Sequence, residues 1–108
     1  MARQVRLLLS TVPGQRADEL ARLWVESRRA ACVSVLPGAR SVYRWKGELV
    51  ADEEAVLLIK TAFDSAAEGR RLLESLADDH PYEEPEFLVF EPDAGAAGYL
   101  TWVLENVD

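Results

Sequence analysis

The sequence predicts an α+β fold in which a four-stranded antiparallel sheet carries two crossover helices, in the element order β-α-β-β-α-β-α. Two observations point there. Apolar residues recur with helical spacing in two separated segments, and each segment lies between runs rich in leucine, β-branched and aromatic residues. Between the two helical segments, a pair of strand-like runs meets at Lys46-Gly47, so the middle of the chain reads as one long hairpin.

The elements follow in order. VRLLLSTV, residues 5 to 12, has the composition and length of a strand and is broken by Pro13-Gly14. In the next segment Ala17, Leu20, Ala21 and Trp24 fall at i, i+3, i+4 and i+7, which makes one apolar helix face. This helix is expected to end around Ala30, with Arg28 and Arg29 in its last turn, where the helix dipole favours cations. ACVSVLPGARSVYRW reads as a long strand bent at Pro37-Gly38, and ELVADEEAVLLIKT as its antiparallel return, giving a hairpin over residues 39 to 61. Ser65 and Glu68 have capping-box spacing ahead of Gly69, Leu72, Leu73 and Leu76, so the second helix is expected over residues 65 to 78. Pro81 and Pro85 exclude helix and lead into EFLVF, the fourth strand. Leu100, Val103, Leu104 and Val107 mark a short terminal helix.

This order is the split βαβ, or ferredoxin-like, arrangement, with both crossover helices on one face of the sheet. The strand runs Leu7–Leu9, Val56–Ile59 and Phe87–Phe90 do not alternate apolar with polar as a half-exposed sheet does. Both faces are therefore expected to be covered. The terminal helix is too short to cover the second face alone, so the missing cover is expected to be another copy of the chain.

The 108 residues suit one domain, 1-108. Nineteen acidic against twelve basic side chains leave a formal charge of -7, which opposes sequence-independent binding to nucleic acid. No stretch approaches the ~18 apolar residues of a membrane span. The N-terminal apolar run is too brief for a signal-peptide core, and Cys32 is the only cysteine, so the cytoplasm is the expected location.

Three places could carry chemistry. The segment DDHPYEEPE holds the only histidine, His80, beside Asp79 and other acids; imidazole and carboxylate together suit a divalent cation such as copper or zinc. The same histidine, at a helix end, could equally be bonded to backbone. Cys32 enters a strand after two alanines and is expected to be a buried, reduced thiol, a ligand role being the alternative. Tyr43 and Trp45 share one strand face by the period of two, as interface aromatics or, with Arg44 and Lys60, as the wall of a pocket. No catalytic motif is present, so no enzyme activity is expected.

Taken together, AACVSVLPGARSVYRWKGEL, DEEAVLLIKT, HPYEEPE and YLTWVLENV resemble the CutA divalent-cation tolerance proteins over nearly the whole chain. The resemblance implies a ferredoxin-like subunit in a cyclic homotrimer shared with the PII signalling proteins, with Tyr43 and Trp45 at the trimer interface. It also implies a role in the response to metal ions, with divalent metal ions as partners; no cofactor is required, and copper or another divalent cation is the candidate ligand. Family members credited with copper binding have a cysteine where this chain has Ser10 and a second histidine where it has Asp79; of that trio only His80 is kept. Oxygen ligands favour harder ions, so weak binding through His80 and Asp79 is the expectation. The alternative is a PII-like signalling or scaffold trimer that takes a small molecule or protein partner at its subunit clefts.

Overall fold

Seven elements alternate along the chain in a computed structural model that describes residues 2–108. They are β1 (Gln4–Pro13), α1 (Gly14–Glu26), β2 (Cys32–Trp45), β3 (Glu48–Phe63), α2 (Ala66–Asp79), β4 (Leu88–Phe90) and α3 (Ala97–Glu105). The strands form one sheet in the order β2-β3-β1-β4, antiparallel at every pairing. This is the split βαβ order: each crossover helix links strands that are consecutive in sequence but not neighbours in the sheet.

Both crossover helices pack on one face. Leu20 and Trp24 of α1 and Leu76 of α2 meet Leu8, Val12, Leu57 and Ile59 of the two central strands, all of them at most 1% exposed. The period of two then sends Leu7, Leu9, Val56 and Leu58 to the opposite face, where α3 covers only one end through Val103 and Val107 against Ala31 and Val5. Leu88 and Phe90 pair with Leu9 and Leu7 on that open side and are 52% and 48% exposed. Within a single chain the second face is thus apolar but half-covered, short of the double burial expected from the strand runs.

Several boundaries differ from expectation. Helix α1 stops at Glu26, because Arg28 adopts the left-handed conformation (φ 61°). Arg28 and Arg29 therefore lie beyond the helix and make tertiary bonds. Arg28 reaches Asp108 and the Glu105 carbonyl, while Arg29 reaches Ser75 and Asp79. At the start of α2, Ser65 Oγ accepts from the Glu68 amide at 3.2 Å, as the capping box requires. Glu68 returns the bond one residue earlier than usual, accepting from the Asp64 amide at 3.0 Å. Strand β4 is only three residues long, since Glu86 and Phe87 precede the paired stretch.

The hairpin runs far past the sheet. Its pairing extends to Trp45↔Glu48, around a turn in which Lys46 and Gly47 both have positive φ, the two-residue geometry that matches strand twist. Between the pairs Leu36↔Val56 and Ala39↔Glu54, β2 carries one residue more than β3. Gly38, with φ 78°, takes the left-handed position of this bulge. The extra residue reverses which side-chain parity of β2 faces which way. Ala39, Ser41, Tyr43 and Trp45 consequently continue the face begun by Cys32, Ser34 and Leu36.

Among the described residues one buried side-chain polar atom has no partner: Ser10 Oγ, on the helix-covered face of β1 and 0% exposed. A buried hydroxyl without a hydrogen bond costs free energy that alanine at the same place does not. Ser10→Ala is expected to raise stability by about 1 kcal/mol in urea denaturation. A loss of stability would show that the hydroxyl is bonded in solution.

Candidate functional site

His80 caps the C-terminal end of α2, its own amide still bonded to the Ala77 carbonyl. Its ring turns inward and is 7% exposed. The Tyr82 amide can only donate, so Nδ1 at 3.1 Å accepts; Nε2 therefore carries the proton and donates to the Thr11 carbonyl at 2.9 Å. Both ring nitrogens are committed, and the imidazole is neutral. Burial lowers its pKa below the usual histidine value, opposed by the Thr11 carbonyl and the charge of Glu54, with Arg16 adding to the lowering. Tyr82 and Phe87 close over the ring at centroid distances of 4.9 and 5.7 Å.

Asp79 faces the other way. Its Oδ2 accepts from Trp24 Nε1 at 3.1 Å and pairs with Arg29 at 2.9 Å, which ties α2 to α1. The two residues singled out as ligands are thus adjacent in sequence and directed to different partners. No group of three or more histidine, cysteine, aspartate or glutamate residues in a metal-holding arrangement occurs among the described residues.

What the corner does build is a cleft of about 380 Å³ against the hairpin arm. Tyr43 and Trp45, each 39% exposed, form one wall, and Pro81 and Tyr82 form the other. Between them stand Glu54, Glu83, Glu84 and Glu86, with Thr11 donating to Glu86 at 3.2 Å. Of the pocket expected around the aromatics, Tyr43 and Trp45 are present, while Arg44 and Lys60 do not line it. The cleft is therefore acidic.

Glu54 lies at its floor, 5% exposed, accepting a 2.6 Å bond from the Tyr82 hydroxyl. Among the described residues it has no salt-bridge partner. Burial, the bond to Glu54 and the charges of Glu54 and Asp52 all raise the Tyr82 pKa well above that of an ordinary phenol. Tyr43 bonds to Asp52, and its pKa is raised by that bond first. Neither Glu54 nor Tyr82 stood out in the sequence. The available signal for Glu54 was its position directly before the run Ala55–Ile59, where period two places it in line with Val56 and Leu58.

Cys32 is only partly buried, at the open-face end of β2, with Lys60 Nζ 3.6 Å from its sulfur. The expectation of full burial does not hold in the single chain, because the face that Cys32 joins is the one left half-covered.

Fold and site together define a split βαβ protein with an overlong hairpin and an acidic, aromatic cleft alongside it. The chain belongs to the CutA1 divalent ion tolerance protein family, whose family model matches residues 6–106. The divalent-cation tolerance protein CutA of Thermus thermophilus is 40% identical over 101 residues, spanning 93% of this chain and 95% of its own length. That of Pectobacterium atrosepticum is 42% identical over 98 residues, spanning 90% of this chain and 86% of its own. Among solved structures, CutA from Xylella fastidiosa superposes with a TM-score of 0.86 at 39% identity, covering 97% of this chain and 99% of that one. The PII-like protein CutA from Nostoc superposes with a TM-score of 0.79 at 36% identity, covering 91% and 92%. Among the described residues no helix is long and apolar enough to cross a membrane.

Proposed function

We infer that the chain is a non-catalytic, homotrimeric, cytoplasmic protein of the divalent-cation response, and that it holds a divalent cation loosely at the floor of the cleft, beside Glu54. The state of Glu54 carries this reading. It is a buried carboxylate with one phenol bonded to it and no cationic partner among the described residues. With no cationic side chain beside it, Glu54 offers its oxygens to a cation in the cleft without competition from the chain. Carboxylate and phenol oxygens suit hard ions such as magnesium or manganese more than copper. The relatives' names, divalent-cation tolerance protein, agree with such a ligand.

His80 and Asp79 remain the alternative ligands, at a stated cost. A metal on His80 must displace either the Tyr82 amide or the Thr11 carbonyl, and a metal on Asp79 competes with Arg29. Trimerisation is supported by the apolar face carrying Leu7, Leu9, Leu88 and Phe90, which α3 leaves open and a second copy would cover. Tyr43 and Trp45 continue that face and fall at the subunit boundary in this reading.

Calorimetry with manganese and copper ions on the native chain, Glu54→Gln and His80→Gln tests the site. Manganese affinity is expected to fall at least tenfold in Glu54→Gln and to stay level in His80→Gln. Loss confined to His80→Gln would return the site to His80 and Asp79. Light scattering is expected to give three chain masses at micromolar concentration, and a monomer there would overturn the assembly.

A further inference from the structure

We propose that the cleft, from the Tyr43–Trp45 wall and Glu83 at its mouth to Glu54 at its floor, binds a small organic polyamine, an alkyl chain bearing two or more primary or secondary ammonium groups. The inference goes beyond the metal reading and does not depend on it. A bare dication uses oxygen atoms and gains little from three aromatic side chains, whereas the cleft has Tyr43, Trp45 and Tyr82 in its walls. An anion is repelled by the four glutamates, and a neutral ring has no use for them. An alkylammonium uses both features: its methylenes lie on aromatic faces, and its charge meets carboxylates and the negative face of an indole. The volume of about 380 Å³ is in the range of small-molecule sites and far larger than a metal ion needs.

The chain itself shows how such a group sits. Lys46, at the hairpin tip, places its Nζ 5.6 Å from the Trp45 ring centroid and 3.7 Å from Glu83 Oε2. A primary amine on an alkyl stem thus already lies between an indole face and a carboxylate at the mouth of the cleft. The contact is easily displaced, because both side chains are more than 70% exposed and an exposed ion pair is worth ~0–1 kcal/mol. Acids stand at two depths, Glu83 at the mouth and the buried Glu54 at the floor, so a ligand with charges at both ends matches the cleft better than a monoamine. Lys46 then acts as a tethered competitor that an incoming polyamine replaces.

Titration calorimetry with 1,4-diaminobutane, spermidine, butylamine and 1,4-butanediol, each at fixed ionic strength, tests the proposal. The diamine and spermidine are expected to bind, butylamine at least fivefold more weakly, and the diol not at all. Trp45→Leu keeps apolar area but loses the indole face, and is expected to weaken spermidine about tenfold. Lys46→Ala is expected to strengthen it several-fold. Arg44→Ala removes the same charge from a side chain that does not line the cleft and is expected to have little effect. Equal strengthening in Lys46→Ala and Arg44→Ala would reduce the effect to general electrostatics and overturn the proposal. So would spermidine affinity unchanged in Trp45→Leu, or no binding at millimolar concentration. If Trp45→Leu does not fold, the highly exposed Lys46 still decides. Manganese binding without spermidine binding would sink this inference and leave the metal reading standing, and the opposite pattern would do the reverse.

Discussion

Trp24→Ala is expected to lower the unfolding free energy by about 3–5 kcal/mol, the range for losing a large aromatic from a packed core. Trp24 is 0% exposed and lies among Leu8, Leu20, Leu57 and Leu76, with the Phe87 ring 6.1 Å from its own. Truncation opens a void at the junction of α1, α2 and the sheet. It also leaves Asp79 without the indole donor that, with Arg29, fastens the two helices. Trp24→Phe separates the contributions, since it keeps most of the apolar volume and loses the hydrogen bond; it is expected to cost about 1–2 kcal/mol. Urea midpoints at one fixed protein concentration give both values, because any assembly adds a concentration-dependent contribution. A loss below about 1 kcal/mol in Trp24→Ala would mean that α1 does not dock as described.

His80→Ala is expected to cost about 2–3 kcal/mol, well above the small effect that a loop position suggests. The substitution removes two bonds and uncovers their partners, the Thr11 carbonyl and the Tyr82 amide, beneath the rings of Tyr82 and Phe87. A pH dependence accompanies it. The folded-state pKa of His80 lies below the unfolded value near 6.5, so above pH ~6.5 the ring is neutral in both states and its stabilisation is complete. As pH falls through that value the unfolded chain takes the proton first, and stability declines until the lower folded pKa is reached. The loss is confined to the window between the lower folded pKa and the unfolded value. The difference in stability between the native chain and His80→Gln is therefore expected to shrink on acidification from pH 7.5 to 5.5. A difference that stays constant would show that the ring is not held neutral.

The parts of the fold that were legible in the sequence are those in which neighbours along the chain decide the structure. The Ala17–Trp24 face, the Ser65–Glu68 cap and the Lys46-Gly47 turn each rest on contacts a few residues apart, and each forms as its pattern indicates. The end of α1 was not legible. Arg28 leaves the helix to meet Asp108 and the Glu105 carbonyl, some eighty residues away, and no local signal encodes that attraction. The site divides in the same manner. His80 stood out as the only histidine, yet what fixes its protonation is the main-chain carbonyl of Thr11, which carries no side-chain signature at all. The cleft depends on Glu54 meeting Tyr82 across a separation of 28 residues, and composition shows only that both are present.

The bulge at Pro37-Gly38 gives the hairpin arm an orientation independent of the sheet that supports it. Before the bulge, even-numbered residues of β2 look toward the open face; after it, odd-numbered residues do. Were the same residues paired straight through without the bulge, the composition of the arm would be untouched, yet Tyr43 and Trp45 would turn away from the cleft and Val42 and Arg44 would take their place. Side-chain substitution at Gly38 meets no steric obstacle, since a Cβ would have no neighbour within 4 Å; the only resistance is its left-handed backbone. What the glycine protects is thus a phase relation: the arm's chemistry is written in its residues, but the side on which that chemistry is displayed is set by a count of one.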